Sequence, residues 1–380
     1  MNNILNTLHY RSGLRIPILL CFLLPVNGTA YSQQALYKEF QDVINKEVNE
    51  NMPGLLIHVE CPDRNISWSG AAGFSDKDAR VPMKVDQSFR IASVTKTFVA
   101  STILRLWEDG KLSLDDPVTK YISKEHTAIL ESGGYAVNKI TIRHLLSHSS
   151  GLYDHAQSEN YDIKIKEDPS HKWTRTEQLQ KAVEWGKPVG GIGEKFSYSD
   201  TGYILLGEII EKITGKSMND AIREELNFRK HGLKDTWIEG LRPPQKENRI
   251  HQYSDNADTY DYSPSIDLYG GGGFLSTTSD LAGYFQLLFN RKVFRNESTL
   301  DTMLVPVSYR EKPRMDYRKG MYMIKVNGID VFTHTGFWGT QVVYIPQLNT
   351  SIATNYSSVW DKRGPAPVIP EIIKILQEIQ

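Results

Sequence analysis

The sequence predicts an α+β fold, in which one antiparallel sheet is flanked by helices and a mainly helical lobe is inserted into it. Strand-like segments occur at 55–74 and again across the last hundred residues, whereas 111–265 shows helical patterns broken by long polar loops. Strands at both ends must pair with something, and the simplest partner is each other. The length of 380 residues also exceeds one ordinary domain. The expected organisation is a leader at 1–32, a sheet domain from 33–110 plus 266–380, and a helical domain at 111–265. A cleft between the two lobes is the default binding site.

The elements follow in order. Arg11 and Arg15 are the only charged side chains before Lys38, and Ile16 to Val26 is an apolar run that ends in small residues. That is the pattern of a secretory signal peptide, cleaved after Ala30 or Ser32. The run is too short to span a bilayer. Leu19 and Leu20 stand before Cys21 where a lipid anchor wants small residues, so no stable membrane anchor is expected. Leu36, Phe40, Val43, Ile44 and Val48 recur at helical spacing up to Pro53-Gly54. Two short strands follow, joined by the Pro62-Asp-Arg-Asn65 turn. A strong helix runs from Ser93 to Asp109 and stops at Gly110. The inserted block carries helices near 142–147, 177–185, 202–213 and 218–226. After the glycines 270–273 come a helix near 279–289, strands at 322–326, 331–334, 341–345 and 351–356, and a last helix at 369–379.

Composition excludes several functions. Lys plus Arg is 44 and Asp plus Glu is 45, a net charge of -1, with no basic stripe to hold a nucleic acid. Once Cys21 leaves with the leader, Cys61 is the only thiol, so neither a disulfide nor a multi-cysteine zinc site can form. An exported chain without disulfides suits a periplasm. Gly270 to Gly273 lacks the Lys-Ser/Thr ending of a phosphate loop and reads as a close backbone approach. His144 and His148 lie one turn apart with no third ligand evident and read as structural. No metal or other cofactor is expected.

Three polar signatures remain. Ser93-Val94-Thr95-Lys96 is the only Ser-x-x-Lys in the chain. On a helix, positions i and i+3 share a face, so the Lys96 amine can reach the Ser93 hydroxyl. The helix start also offers backbone N–H groups to a developing oxyanion. The plain alternative is a helix-capping serine. Tyr198-Ser199-Asp200 precedes an apolar helix, and Thr333-His334-Thr335-Gly336-Phe337-Trp338-Gly339 lies in the strand region. One signature in each main segment lets all three meet in the cleft.

In this order the motifs resemble the serine β-lactamase and penicillin-binding protein superfamily, and most closely its class C β-lactamase-like branch of D-alanyl-D-alanine carboxypeptidases and esterases. Leu145 to Leu152 and Gly272 to Leu281 add to the resemblance, which runs from about residue 36 to 378. It implies a β-lactamase/transpeptidase-like fold and a hydrolase working through an acyl-serine. Ser93 would be the nucleophile and Lys96 its proton partner. Tyr198 would act as base and then protonate the leaving group. The backbone N–H groups of Ser93 and Phe337 would form the oxyanion hole. Asp200, His334, Thr335 and Gly336 would bind a small peptide, amide or ester, such as a cell-wall peptide.

Two residues depart from the family pattern. Asp200 stands where Asn is common; an ionised Asp only accepts hydrogen bonds, which suits a substrate presenting an N–H or ammonium group. It can also hold Lys96 charged, shifting proton abstraction to Tyr198, whose phenolate a nearby ammonium favours. His334 stands where class C β-lactamases carry Lys, so a permanent anchor for a substrate carboxylate is missing. Both departures favour a D-alanyl-D-alanine carboxypeptidase-like peptidase or an esterase over a weak class C-like β-lactamase. A non-catalytic penicillin-binding sensor is the other class, disfavoured because Ser93, Lys96 and Tyr198 are all present. Tyr253-Ser254-Asp255 repeats the tyrosine motif but sits in a turn-rich acidic stretch, so Tyr198 is preferred. Tyr260, Tyr262, Tyr269 and Trp338 are candidates for the cleft wall. N-terminal sequencing of protein from the periplasm is expected to start at Tyr31 or Gln33; a chain that keeps Met1 rules out both leader and compartment.

Overall fold

The computed structural model describes residues 32–241, 248–311, 313–358 and 367–379. The leader expected at 1–32 therefore lies outside the described residues except for Ser32, whose side chain caps the first helix by accepting from the Ala35 N–H at 3.1 Å.

Eight strands form the main sheet: β1 Gly54–Cys61, β2 Ile66–Asp76, β3 Val81–Pro82, β4 Asp316–Tyr317, β5 Tyr322–Val326, β6 Ile329–Thr335, β7 Thr340–Ile345 and β8 Thr350–Tyr356. Their order is β3-β2-β1-β8-β7-β6-β5-β4. Each neighbouring pair is antiparallel. The two ends of the chain meet between β1 and β8, where Leu55 faces Tyr356 and Glu60 faces Ser351. The expected sheet from both termini is thus found. The smaller β3 and β4 at its edges, two residues each, carry too short a pattern to read from sequence.

Alternation along β1 sorts its side chains onto two faces. Leu55, Ile57 and Val59 pack with α1 Gln33–Glu47 and with the last helix of the chain, through Phe40, Ile44, Ile369, Ile372 and Ile373. Leu56 points the other way, into a larger apolar cluster that continues through α2 Thr95–Glu108 to α3 Asp200–Thr214 and helix Ile142–Leu146. The helical segment therefore shares one core with the sheet. α2 is buried on nearly every side from Thr95 to Leu106, as an apolar helix in the centre of a protein must be.

The short strand Phe89–Arg90 leads into α2 and pairs with Phe274–Ser276. A buried ion cluster holds it in place. The Arg90 guanidinium binds Glu239 through two nitrogens, at 2.7 and 3.1 Å, and Arg249 reaches the same carboxylate at 2.9 Å. Bidentate pairing of this kind fixes orientation as well as distance. It ties the segment before Ser93 to the far end of the helical insert.

Phe98 is the aromatic hub of α2, with ring centroids 5.5 Å from Phe228, 5.8 Å from Phe274 and 4.3 Å from Tyr284. Phe98→Ala is expected to cost roughly 3–5 kcal/mol of stability, measured by urea denaturation; a loss below about 1 kcal/mol would show that this helix is not held by its core face.

Candidate active site

Ser93 lies in a single 3-10 turn, Ala92–Val94, that runs directly into α2. Its side chain does not cap the helix: Val94 occupies that position and no side-chain cap is made. Lys96 is one turn further on, fully buried, and its ammonium donates to Ser93 Oγ at 2.8 Å. The same nitrogen donates to the Gly271 carbonyl at 2.5 Å and forms an ion pair with Asp200 Oδ1 at 2.5 Å. An ammonium has three N–H donors, and three acceptors meet it here.

The glycine run supplies one of them and makes room for another residue. A Cβ on Gly272 would stand 2.1 Å from Asp267 Oδ1, so only glycine lets that carboxylate lie against the turn. Likewise a Cβ on Gly336 would stand 2.2 Å from the Ile91 carbonyl, so glycine brings the end of β6 up against the Ser93 turn. Ala92, beside Gly336, has φ +44°, a left-handed conformation that costs a non-glycine residue energy.

Above these groups is a cavity of 650 Å³. Ser93, Tyr198, Asp200, His334, Thr335, Gly336 and Phe337 all line it, with Lys96 beneath. The structure thus brings every sequence-predicted site residue together. Trp338 and Tyr262 also form its wall. Tyr260 stacks instead on His251, at 4.2 Å, and the Tyr269 hydroxyl donates to the Trp173 carbonyl. Tyr253 is spent elsewhere, its hydroxyl accepting from the Lys77 N–H at 3.1 Å.

Tyr198 shares the cavity wall with Ser93. Its ring lies tilted against His148, with centroids 4.2 Å apart, and the Lys96 nitrogen lies 4.9 Å from its centroid. Burial, and then the Asp200 carboxylate, hold this phenol well above the ordinary tyrosine range. The expected preference for phenolate is therefore reversed, because desolvation outweighs the ammonium.

His334 is the last residue but one of β6, whose pairing with β5 stops at Tyr322 opposite Thr333. Its Nδ1 lies 2.8 Å from the Thr335 carbonyl. A carbonyl only accepts, so Nδ1 carries the proton and Nε2 carries a lone pair. Burial, reinforced by Lys96, pushes the ring's pKa down to about 3 and keeps it neutral.

Three residues of this site were not identified from sequence. His148 was read only as a structural partner of His144; in fact it buttresses Tyr198, and its Nδ1 accepts the Ser199 N–H at 3.1 Å. Asp154 accepts the Asp200 N–H at 3.1 Å and lines the cavity, as does Asp267. Each of these three lies in or within three residues of a motif singled out from sequence, and that proximity was the available clue. Burial first, and then the charge of Asp200, raise both Asp154 and Asp267 to about 7. Among the described residues, no group of three or more His, Cys, Asp or Glu side chains stands where it could hold a metal ion.

The profile of the Beta-lactamase family matches residues 36–362. The chain belongs to this family. Among curated relatives, penicillin-binding protein 4* of Bacillus subtilis is 27% identical over 72% of the chain, and the chain spans 61% of that relative's length. Among solved structures, a D-stereospecific amidohydrolase from Streptomyces sp. is 26% identical, with a TM-score of 0.73 over 85% of this chain and 95% of the other. A D-amino acid amidase from Ochrobactrum anthropi shares the fold at 21% identity, TM-score 0.73, over 90% and 97% of the two chains. These likenesses place this Beta-lactamase family chain in the serine hydrolase superfamily with a β-lactamase/transpeptidase-like fold. No described helix is long and apolar enough to cross a membrane.

An aspartate with a raised pKa holds its proton more tightly in the folded state, so its contribution to stability falls from about pH 4 to about pH 7 and is level above. Asp267→Asn removes that loss. The Tm of the variant relative to the native protein is expected to rise between pH 4 and pH 8, on the order of 5 °C. A difference that stays constant across that range contradicts a raised Asp267.

Proposed function

We propose that the protein is a serine hydrolase that cleaves D-amino-acid peptides, amides or esters through an acyl-Ser93 intermediate. The observation that carries this is the Lys96 ammonium at 2.8 Å from Ser93 Oγ beneath a substrate-sized cavity. The D-stereospecific amidohydrolase, similar over 85% of the chain, supports the D-amino-acid class. The neutral His334 offers no positive charge to the carboxylate of a β-lactam, which ranks β-lactamase activity lower.

The steps follow from the geometry. Ser93 Oγ attacks the substrate carbonyl, and the electron pair pushed onto oxygen is held by the backbone N–H groups of Ser93 and Phe337. All three Lys96 donors are engaged, so Lys96 can take the serine proton only as it passes one of its own to Asp200, 2.5 Å away. The net acceptor is then a carboxylate. Tyr198, held protonated by burial, gives its proton to the leaving nitrogen or oxygen. The transient phenolate lies beside the Lys96 ammonium and recovers a proton from Asp200 through it. Water then attacks the acyl-Ser93 by the same path and releases the acid.

Ser93→Ala is expected to abolish labelling by a fluorophosphonate while leaving the fold intact. Tyr198→Phe is expected to lower kcat on an amide at least about 100-fold, whereas Tyr253→Phe leaves it within twofold. Labelling of Ser93→Ala at the native rate moves the nucleophile elsewhere.

A further inference from the structure

The inner wall of the cavity offers acceptors rather than donors. Asp154, Asp200 and Asp267 all line it, and the Asp200 carboxylate is near enough to both of the others to push them towards their protonated forms. Asp154 Oδ2 accepts from Gln157 at 2.7 Å, and Asp267 lies against the glycine turn beside Asp200's neighbour Gly271. The cations nearby are already engaged. Lys96 is held by Asp200, Ser93 and Gly271, Arg90 by Glu239, and at the rim Lys166 by Asp255 at 3.0 Å. Three carboxylates around one committed ammonium leave the pocket short of positive charge.

A second observation is independent of this acidity. His334, only 1% exposed, lines the same cavity, and its Nε2 has no hydrogen-bond partner among the described residues. The Thr335 carbonyl fixes the tautomer, so this nitrogen can only accept. A buried acceptor without a donor is costly, and a ligand N–H entering the cavity relieves it. Ile165, Phe196, Ile266 and Trp338 give the same cavity an apolar and aromatic side.

We propose that the cleft contains an ammonium subsite formed by the carboxylates of Asp154 and Asp267 with the Nε2 lone pair of His334, and that the substrates are amino-acyl amides or esters with a free α-amine and an apolar side chain. This rests on the acyl-Ser93 reading and narrows it. The α-nitrogen of such a substrate lies two bonds from the carbonyl that Ser93 attacks. Acylation of that nitrogen removes its charge and all but one of its donors. A substrate carboxylate in this place would face like charge, so the subsite selects the amino end of a residue over the carboxyl end.

The test compares D-phenylalanine 4-nitroanilide with its N-acetyl derivative. The native protein is expected to favour the free amine in kcat/KM by at least 100-fold. In Asp154→Asn/Asp267→Asn, the ratio of kcat/KM for the free amine to kcat/KM for the N-acetyl substrate should fall at least tenfold. Fluorophosphonate labelling of Ser93, which needs no ammonium, is run on both proteins. Equal turnover of the two substrates by the native protein overturns the subsite, as does turnover of neither while Ser93 still labels. A native protein in which Ser93 does not label removes the serine-hydrolase reading itself. A double variant that labels normally but keeps its preference for the free amine also overturns the subsite. D-Phenylalaninol, which keeps the ammonium and lacks the scissile bond, should inhibit the native protein competitively, and failure to inhibit counts against the proposal independently of any variant.

Discussion

A fully buried ammonium must find three acceptors, and the placement of Lys96 organises much of the fold. Removing a charge from water costs several kcal/mol unless its partners are in place. The partners of Lys96 come from three distant stretches of chain: Ser93 on its own helix, Asp200 at the start of α3, and the Gly271 carbonyl before the strand that pairs with Phe89–Arg90. None of these segments can shift without leaving the charge uncompensated. The contact of α2 with α3, the glycine turn and the Ser93 turn are thus fixed by one nitrogen. The surrounding apolar cluster supplies most of the cohesion but is less selective about register, since hydrophobic contact is non-directional. The ion cluster of Arg90, Glu239 and Arg249 adds a second directional constraint just upstream of Ser93.

The same burial sets the character of the site. In a poorly solvated cavity the charged form of every group is penalised unless it is paired. Asp200 has Lys96, and its charge is then felt by Asp154, Asp267 and Tyr198, all of which are pushed towards their protonated forms. His334 and His148 are pushed to neutrality by the same burial, and the Lys96 charge adds to it. Burial is the larger cause at each of these groups, and a single ion pair on the floor of the cleft adds to it.

Periodicity made the frame legible. Strand Tyr322–Val326 and helix Met218–Glu225 lie where their apolar patterns put them, to within a residue, because alternation and helical spacing survive burial on one face. The Ser-x-x-Lys pair was legible too, since i and i+3 on a helix share a face wherever the helix goes. The edges were not: Val81–Pro82 and Asp316–Tyr317 are two-residue strands whose existence depends on a neighbour far along the chain. Asp154 and Asp267 were illegible for another reason. Nothing in Leu152-Tyr-Asp or Ser265-Ile-Asp marks a carboxylate as buried; only the tertiary approach of α3 and the glycine turn removes water from them. The reversed reading of Tyr198 has the same origin, because the sequence placed the lysine beside the tyrosine but carried no measure of how dry the place would be.

That dryness decides how a proton can move. A lysine that donates to three acceptors has no lone pair for the serine, and a tyrosine buried beside a carboxylate is a poor phenolate. Taken singly, neither is a base. In the mechanism we propose they form a relay with Asp200, in which serine passes its proton to the hydrogen-bonded lysine, lysine to the ion-paired aspartate, and tyrosine to the leaving group. A neutral amide oxygen or nitrogen at Asp200's position could hold Lys96 in place but could not accept its proton. In that mechanism the acidic residue at this position has a role besides any in substrate choice. In our reading it is the group that allows Lys96 to be a fixed structural charge in the resting protein and a proton carrier during turnover.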